Sequence, residues 1–249
     1  MAGHSQFKNI MHRKGRQDKK RAQIFQKMTR EIIVSVKSGG DNPSGNSRLK
    51  LALQNARAHS MPKDNIERAI KKANGDNSLD NYESVRYEGF GPGGVAIIVE
   101  VLTNNKNRSV SDIRSIFSKN GGQLGESNSV AFMFQRVGHI HYNQNIANQD
   151  TIFENSLEAG ADDVEFDKMG HDIYVKTDHL HQVAEKLENR LGQAEEIKLT
   201  WRPITMTKLH DKKKAQQVIE LIEQLDDHDD VQSIIFNATI HDNLLSDMM

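Results

Sequence analysis

Eight residues near the start of the chain have one chemical character. Lys8, His12, Arg13, Lys14, Arg16, Lys19, Lys20 and Arg21 are crowded together, with Asp18 the one acid among them. A solvated helix face normally mixes the two signs, so this run points to a polyanionic partner. Phosphate is the chemistry such a cluster serves, because each neutralised phosphate releases a condensed counterion. Six to eight contacts on a duplex would give a log–log salt slope of about −5 to −7. Phe7 and Ile10 lie between the cations, and an aromatic ring beside cations can stack on an unpaired base.

Three further sets carry related chemistry. Lys71 and Lys72 close a helix-patterned stretch, "MPKDNIERAIKK", where bases also suit the helix dipole. Lys106 and Arg108 lie in "TNNKNRS", whose Asn107 or Ser109 would cap a helix and leave free N–H groups for phosphate. "GFGPGG" places Gly89, Phe90, Gly91, Pro92, Gly93 and Gly94 in sequence. Its G-x-G-x-x-G spacing would mark a dinucleotide site only if it opened a helix. A β-rich run, Val95–Thr103, follows instead, so we read the segment as a hairpin connection, its four glycines and Phe90 being a candidate for close backbone approach to RNA.

Other chemistries find little support. There is no cysteine, hence no disulfide, thiolate ligand or Cys nucleophile. His139 and His141 alternate along a strand and share a face, but no H-E-x-x-H spacing or third ligand accompanies them in sequence, so no metal site is expected. The acid run "LDDHDDV" at 225–231 lacks the spacing and glycine of a calcium loop and reads as a solvated helix end. No G-x-S-x-G, Walker lysine loop or triad pattern occurs. We expect neither catalysis nor a cofactor.

The whole chain nets −1 over 249 residues, which conceals a strong polarity. Residues 1–72 hold 17 Lys and Arg against 5 acids, and the rest 16 against 29. One end attracts polyanions and the remainder repels them mildly. With 36% apolar and 27% charged residues, the composition is that of an ordinary globular protein. No unbroken apolar run exceeds five residues, far short of a membrane span, and no signal-peptide pattern follows Met1. A cytoplasmic protein without membrane partners is expected.

Elements must position these groups. Ile24, Phe25, Met28, Ile32 and Val36 recur at helical spacing until Gly39-Gly40. Leu49, Ala52, Leu53 and Ala56 form a second stripe, capped by Asn46 or Ser47. Pro62 and Gly75 bracket a third, so residues 17–74 read as a small helical bundle. After Gly75 the period falls to two. Strands are expected at "ESVRYEGF" and "GVAIIVEVLT", a helix at "NRSVSDIRSIFSKNGG", and a strand at "SVAFMFQRV" with Val130, Phe132 and Phe134 on one face. A β-α-β-β-α-β series fills 138–203, the ferredoxin-like order. A last helix and strand at 211–240 would complete the sheet begun by residues 77–135.

These stretches resemble one family. "MAGHS", "HRK" at 12–14, "MPKDNIERAIKK", "YEGFGPGGVAIIVEVLTNNKNR" and "FSKNGGQLGESNSVAFMF" are similar to the YebC/PmpR family, apart from Gln6 and Phe7, where the family carries Lys and Trp. The resemblance implies a non-catalytic regulator that binds DNA and acts on transcription. Alternatively, it implies a ribosome-associated factor that binds ribosomal RNA and relieves stalling at proline-rich stretches. The expected fold is α+β with three domains. A basic helical bundle spans 1–76. A discontinuous α/β sandwich-like domain takes 77–135 and 204–241. A ferredoxin-like α/β domain, 136–203, is inserted into it. Oligomeric state is not legible.

Overall fold

The computed structural model describes residues 17–75 and 81–241, with side chains from Arg21 onward. The fold is α+β. Three helices come first: α1 (Gln17–Gly39), α2 (Ser47–Ala58) and α3 (Lys63–Asn74). Asn46 joins the first two. Its Oδ1 accepts from Leu49 N at 3.0 Å, capping α2. Its Nδ2 donates to Ser35 O at 2.7 Å and Gly40 O at 2.8 Å. One buried amide thus serves the orphan amides of one helix and carbonyls at the end of another.

Among the described residues the backbone forms two compact units. One holds 17–34, 75, 81–135 and 203–241; the other holds 35–74 and 136–202. The first unit is built on β1 (Glu83–Gly91) and β2 (Val95–Thr103), an antiparallel hairpin in unbroken register from Glu83↔Thr103 to Gly91↔Val95. After α4 (Lys106–Lys119), the short β3 (Gln123–Leu124) pairs with β1. The other edge of β2 is taken by β9 (Val231–Phe236), reached through α7 (Lys212–Asp226). The sheet order is β3-β1-β2-β9. Val95, Ile97, Val99 and Val101 pack with Phe117 of α4 and Leu221 of α7. Ala96 and Ile98 on the opposite face are also fully buried, which explains why β2 reads as a continuous apolar run.

The second unit carries β4 (Phe134–Asn143), α5 (Gln149–Ala159), β5 (Asp163–Phe166), β6 (Gly170–Val175), α6 (Leu180–Leu191) and β7 (Glu196–Pro203). Its sheet order, β5-β6-β4-β7, is the one expected of a ferredoxin-like chain. Ile140, Tyr142, Ile173 and Val175 pack with Ile152 of α5 and Leu187 of α6. In the first unit, β8 (Thr207–Leu209) and β10 (Ala238–Ile240) form a parallel pair.

Several local expectations need correction. "AFM", residues 131–133, is a 3-10 turn, and Phe132 is 73% exposed. The buried Glu88 carboxylate causes this: Oε2 accepts from both Val130 N and Ala131 N at 2.9 Å, curling the backbone away from a strand. Gly138 does not separate two strands but lies inside β4. A Cβ there would meet Val175 Cγ2 at 2.7 Å and Leu180 Cδ1 at 2.9 Å, so glycine permits close packing. The final strand breaks at Asn237. Its side chain accepts from Ala96 N at 2.8 Å and donates to Thr205 O at 3.1 Å, which ends β9 and starts β10.

Candidate nucleic-acid interface

Lys8, His12, Arg13, Lys14 and Arg16 lie outside the described residues, and Lys19 and Lys20 are placed only as positions in the first turn of α1. Arg21 is exposed, its guanidinium 5.5 Å from the Phe25 ring. The next cations along α1 do not face solvent for a ligand. Lys27 Nζ meets Asp226 Oδ1 at 2.7 Å and Asp226 O at 3.2 Å. Arg30 donates to Asp230 Oδ1 at 3.0 Å and to the Asp229 carbonyl. Gln23 reaches Asp227 at 3.4 Å. Residues 23, 27 and 30 form one helical stripe. The acid run 226–230 is therefore the dock for α1 rather than a solvated helix end, and it holds the base of the cationic segment.

Asp230 is the centre of that dock. It is 2% exposed. Oδ2 accepts from Ser109 Oγ at 2.7 Å, Arg108 Nη2 at 2.8 Å and Thr103 Oγ1 at 3.1 Å. Burial alone would push its carboxyl up, but these hydrogen bonds and the two guanidinium charges hold it below the usual carboxylate range. Arg108 is correspondingly held more firmly charged. The cap of α4 is Asn105, whose side chain accepts from Arg108 N at 3.0 Å, rather than Asn107 or Ser109; Ser109 is spent on Asp230. Lys106 pairs with Glu83. Lys106 and Arg108 thus both have acidic partners in the protein, and the half-exposed Arg108 shares the buried Asp230 with Ser109 and Thr103.

The glycine hairpin is where the geometry opens. Gly93 and Gly94 adopt φ of 76° and 77°, in the left-handed region glycine favours. A Cβ on Gly93 would lie 2.8 Å from Leu209 Cδ2 and 3.8 Å from Lys214 Cδ. Phe90 is exposed, and so are Gly93 and Gly94. The approach to Lys214 brings in a cation group the sequence reading passed over. Lys208, Lys212, Lys213 and Lys214 are all exposed, on β8 and the first turn of α7. The signal was visible as "KLHDKKK", but the acidic balance of the chain after residue 72 masked it. Asp211 caps α7, accepting from Lys214 N at 2.9 Å, so this turn is ordered.

The first unit therefore presents a glycine turn with Lys214 near Gly93, exposed Lys208, Lys212 and Lys213 on the neighbouring β8 and α7, and Phe90 exposed on the sheet face opposite α7. Exposed backbone, a π-face and cations are the elements of a surface for phosphate and unpaired bases. Lys71 and Lys72 belong to the second unit, exposed in the last turn of α3. Among the described residues no helix is long and apolar enough to cross a membrane.

Comparison with known proteins agrees along the chain. Residues 5–76 match the model of the TACO1/YebC protein N-terminal domain, and residues 82–238 match that of the TACO1/YebC second and third domain. A solved structure, that of the conserved hypothetical protein Aq1575 from Aquifex aeolicus, is 40% identical. The match covers 89% of this chain and 91% of that one, at a TM-score of 0.86. With helices, hairpin and inserted sheet all accounted for, the chain belongs to the TACO1/YebC family.

Proposed function

We propose that this protein is a non-catalytic, cytoplasmic nucleic-acid-binding factor that regulates transcription by binding DNA. The observation that carries this reading is the excess of 17 cations over 5 acids in residues 1–72, a polarity that draws a phosphate-rich surface to one end. The family's regulatory classification supports it. The cationic head, residues 1–76, makes first contact. The α/β domain formed by 77–135 and 204–241 adds the hairpin and lysine surface, and the inserted 136–203 directs the factor to its target.

A specific observation favours a second reading. Phe90, exposed at the end of β1 next to a glycine turn that Lys214 approaches, suits splayed, unpaired bases better than the major groove of a duplex. In that reading the target is ribosomal RNA, and the protein relieves stalling on the ribosome at proline-rich stretches.

Crosslinking in cells followed by sequencing of the bound nucleic acid separates the two. Operator DNA upholds the first reading; ribosomal RNA near the peptidyl-transferase region upholds the second. Changing Arg13, Lys14, Lys19 and Lys20 together to Ala is expected to weaken binding to either polymer and to leave the melting temperature nearly unchanged. Unaltered affinity in that variant rejects the cationic head as the contact.

A further inference from the structure

The second unit holds a polar cluster that the nucleic-acid reading leaves unused. His139 and His141 of β4 lie opposite Tyr174 and Asp172 of β6 in the strand register. They project away from the face where Ile140 and Tyr142 join the apolar core. Both imidazoles converge on one carboxylate oxygen: His139 Nε2 is 2.7 Å, and His141 Nδ1 2.8 Å, from Asp172 Oδ1. The other nitrogen of each ring faces a further acid. His139 Nδ1 is 4.0 Å from Glu196 Oε2, and His141 Nε2 is 3.8 Å from Glu195 Oε2.

We propose that His139, His141 and Asp172 form a binding site for a divalent transition-metal ion of the zinc class, with Glu195 and Glu196 as outer carboxylates.

Proton bookkeeping supports the assignment. If both neutral rings donate to Asp172, their far nitrogens become lone pairs aimed at carboxylates, which cannot donate back. His139 Nδ1 is then buried without a hydrogen-bond partner. Charging both rings instead would place a cation on His139, which is only 8% exposed. A divalent ion resolves the conflict. It takes the lone pairs of His139 Nε2, His141 Nδ1 and the Asp172 carboxylate, and each neutral ring carries its proton on the far nitrogen. Those N–H groups then donate toward Glu196 and Glu195, the carboxylate–histidine–metal arrangement that orients ligating rings.

Distances are compatible. The three ligand atoms lie within 4.8 Å of one another, and bonds of about 2.0–2.2 Å separate ligand atoms by roughly 3.3 Å, so the two His–Asp separations of 2.7 and 2.8 Å open by about half an ångström. Two imidazoles and a carboxylate select zinc, cobalt, nickel or copper over magnesium or calcium. Glu195 is preset: its amide donates to His141 O at 2.9 Å, and its carboxylate accepts from Asn143 Nδ2 at 3.1 Å. Metal here ties β4 to β6, with the start of β7 behind it. Sequence spacing missed the site because the third ligand lies 31 residues beyond His141, on a strand that only the sheet brings alongside.

The test uses full-length protein without a polyhistidine tag, stripped with chelator and titrated with Co(II) in a visible-absorbance cell. We expect a d–d band that saturates at one equivalent, is displaced by Zn(II), and accompanies a rise of several degrees in melting temperature. Asp172→Asn, which keeps the shape, and His141→Ala should each abolish the one-equivalent band while the metal-free melting temperature stays close to wild type. Glu195→Gln should weaken Co(II) about tenfold. No band and no melting shift in the wild-type protein, or a full band retained in both Asp172→Asn and His141→Ala, overturns the assignment. Should His141→Ala fail to fold, the wild-type titration and Asp172→Asn decide the matter alone.

Discussion

Two groups of cations in the first unit have opposite fates. Lys27, Arg30 and Arg108 are paired with carboxylates of the protein, Asp226 and Asp230. Lys208, Lys212, Lys213 and Lys214 are exposed on β8 and α7, with Lys214 near the glycine turn. Counting charge along the chain gives all seven equal weight. Carboxylate partners commit the first group to the fold, and we propose the exposed second group for the ligand. A cation bound to a buried carboxylate has already exchanged its hydration for a protein partner, and releasing it to phosphate would strand that carboxylate.

The largest effect that can break this division is expected at Asp230. Asp230→Ala leaves Arg30 and Arg108 without their acid, and unfolding in urea should show a loss of about 3–5 kcal/mol. A loss under ~1 kcal/mol would put the Asp230 cluster among surface ion pairs and erase the contrast. Acid titration probes the same point. Asp230 and Glu88 both sit below their ordinary values of 3.8 and 4.5, Glu88 because three backbone amides and Arg86 outweigh its burial. A depressed carboxylate contributes stability that is complete above its unfolded value and disappears as pH falls through its folded one. Stability should therefore hold down to those ordinary values and fall below them, with Asp230→Asn flattening the fall.

Next in size is the triple change of Lys212, Lys213 and Lys214 to Ala. The salt dependence of nucleic-acid binding should become shallower by about three in log–log slope, with stability within ~0.5 kcal/mol of wild type. An unchanged slope would remove this surface from the interface. Phe90→Ala should then cost about 1–3 kcal/mol in affinity for single-stranded RNA and little for duplex DNA, read by fluorescence anisotropy. Equal losses on both would count against stacking. The smallest effect is expected from Lys106→Ala. Its pair with Glu83 has both side chains more than half exposed, so it should alter stability by under ~1 kcal/mol.

Local chemistry was legible where the partner lies nearby in sequence. Gly39 ends α1, Asn46 caps α2, and the hairpin turns at Pro92–Gly94, each within a few residues of its reading. What escaped depends on distant partners. Phe132 reads as a core residue by alternation, yet Glu88, more than forty residues earlier, bends its backbone outward. The acid run at 226–230 resembles a solvent-facing helix end until α1 is laid against it. The His139 and His141 pair gains its acid only through strand register. Of the candidate interface, the glycine turn was visible, the lysines of β8 and α7 were hidden by the acidic average, and the acidic partner of Arg108 was out of view because it lies 122 residues away.

The late arrival of β9 at the edge of β2 has a consequence for biosynthesis. When β2 leaves the ribosome its hydrogen-bonding edge is bare, and the strand that covers it is encoded about 130 residues later. At roughly 5–20 residues per second that delay lasts on the order of ten seconds. During that interval Val95–Val99, the most apolar stretch of its sheet, is a template for aggregation. Nascent chains halted between Thr103 and Val231 should bind chaperones strongly, and those extended past Phe236 should let them go.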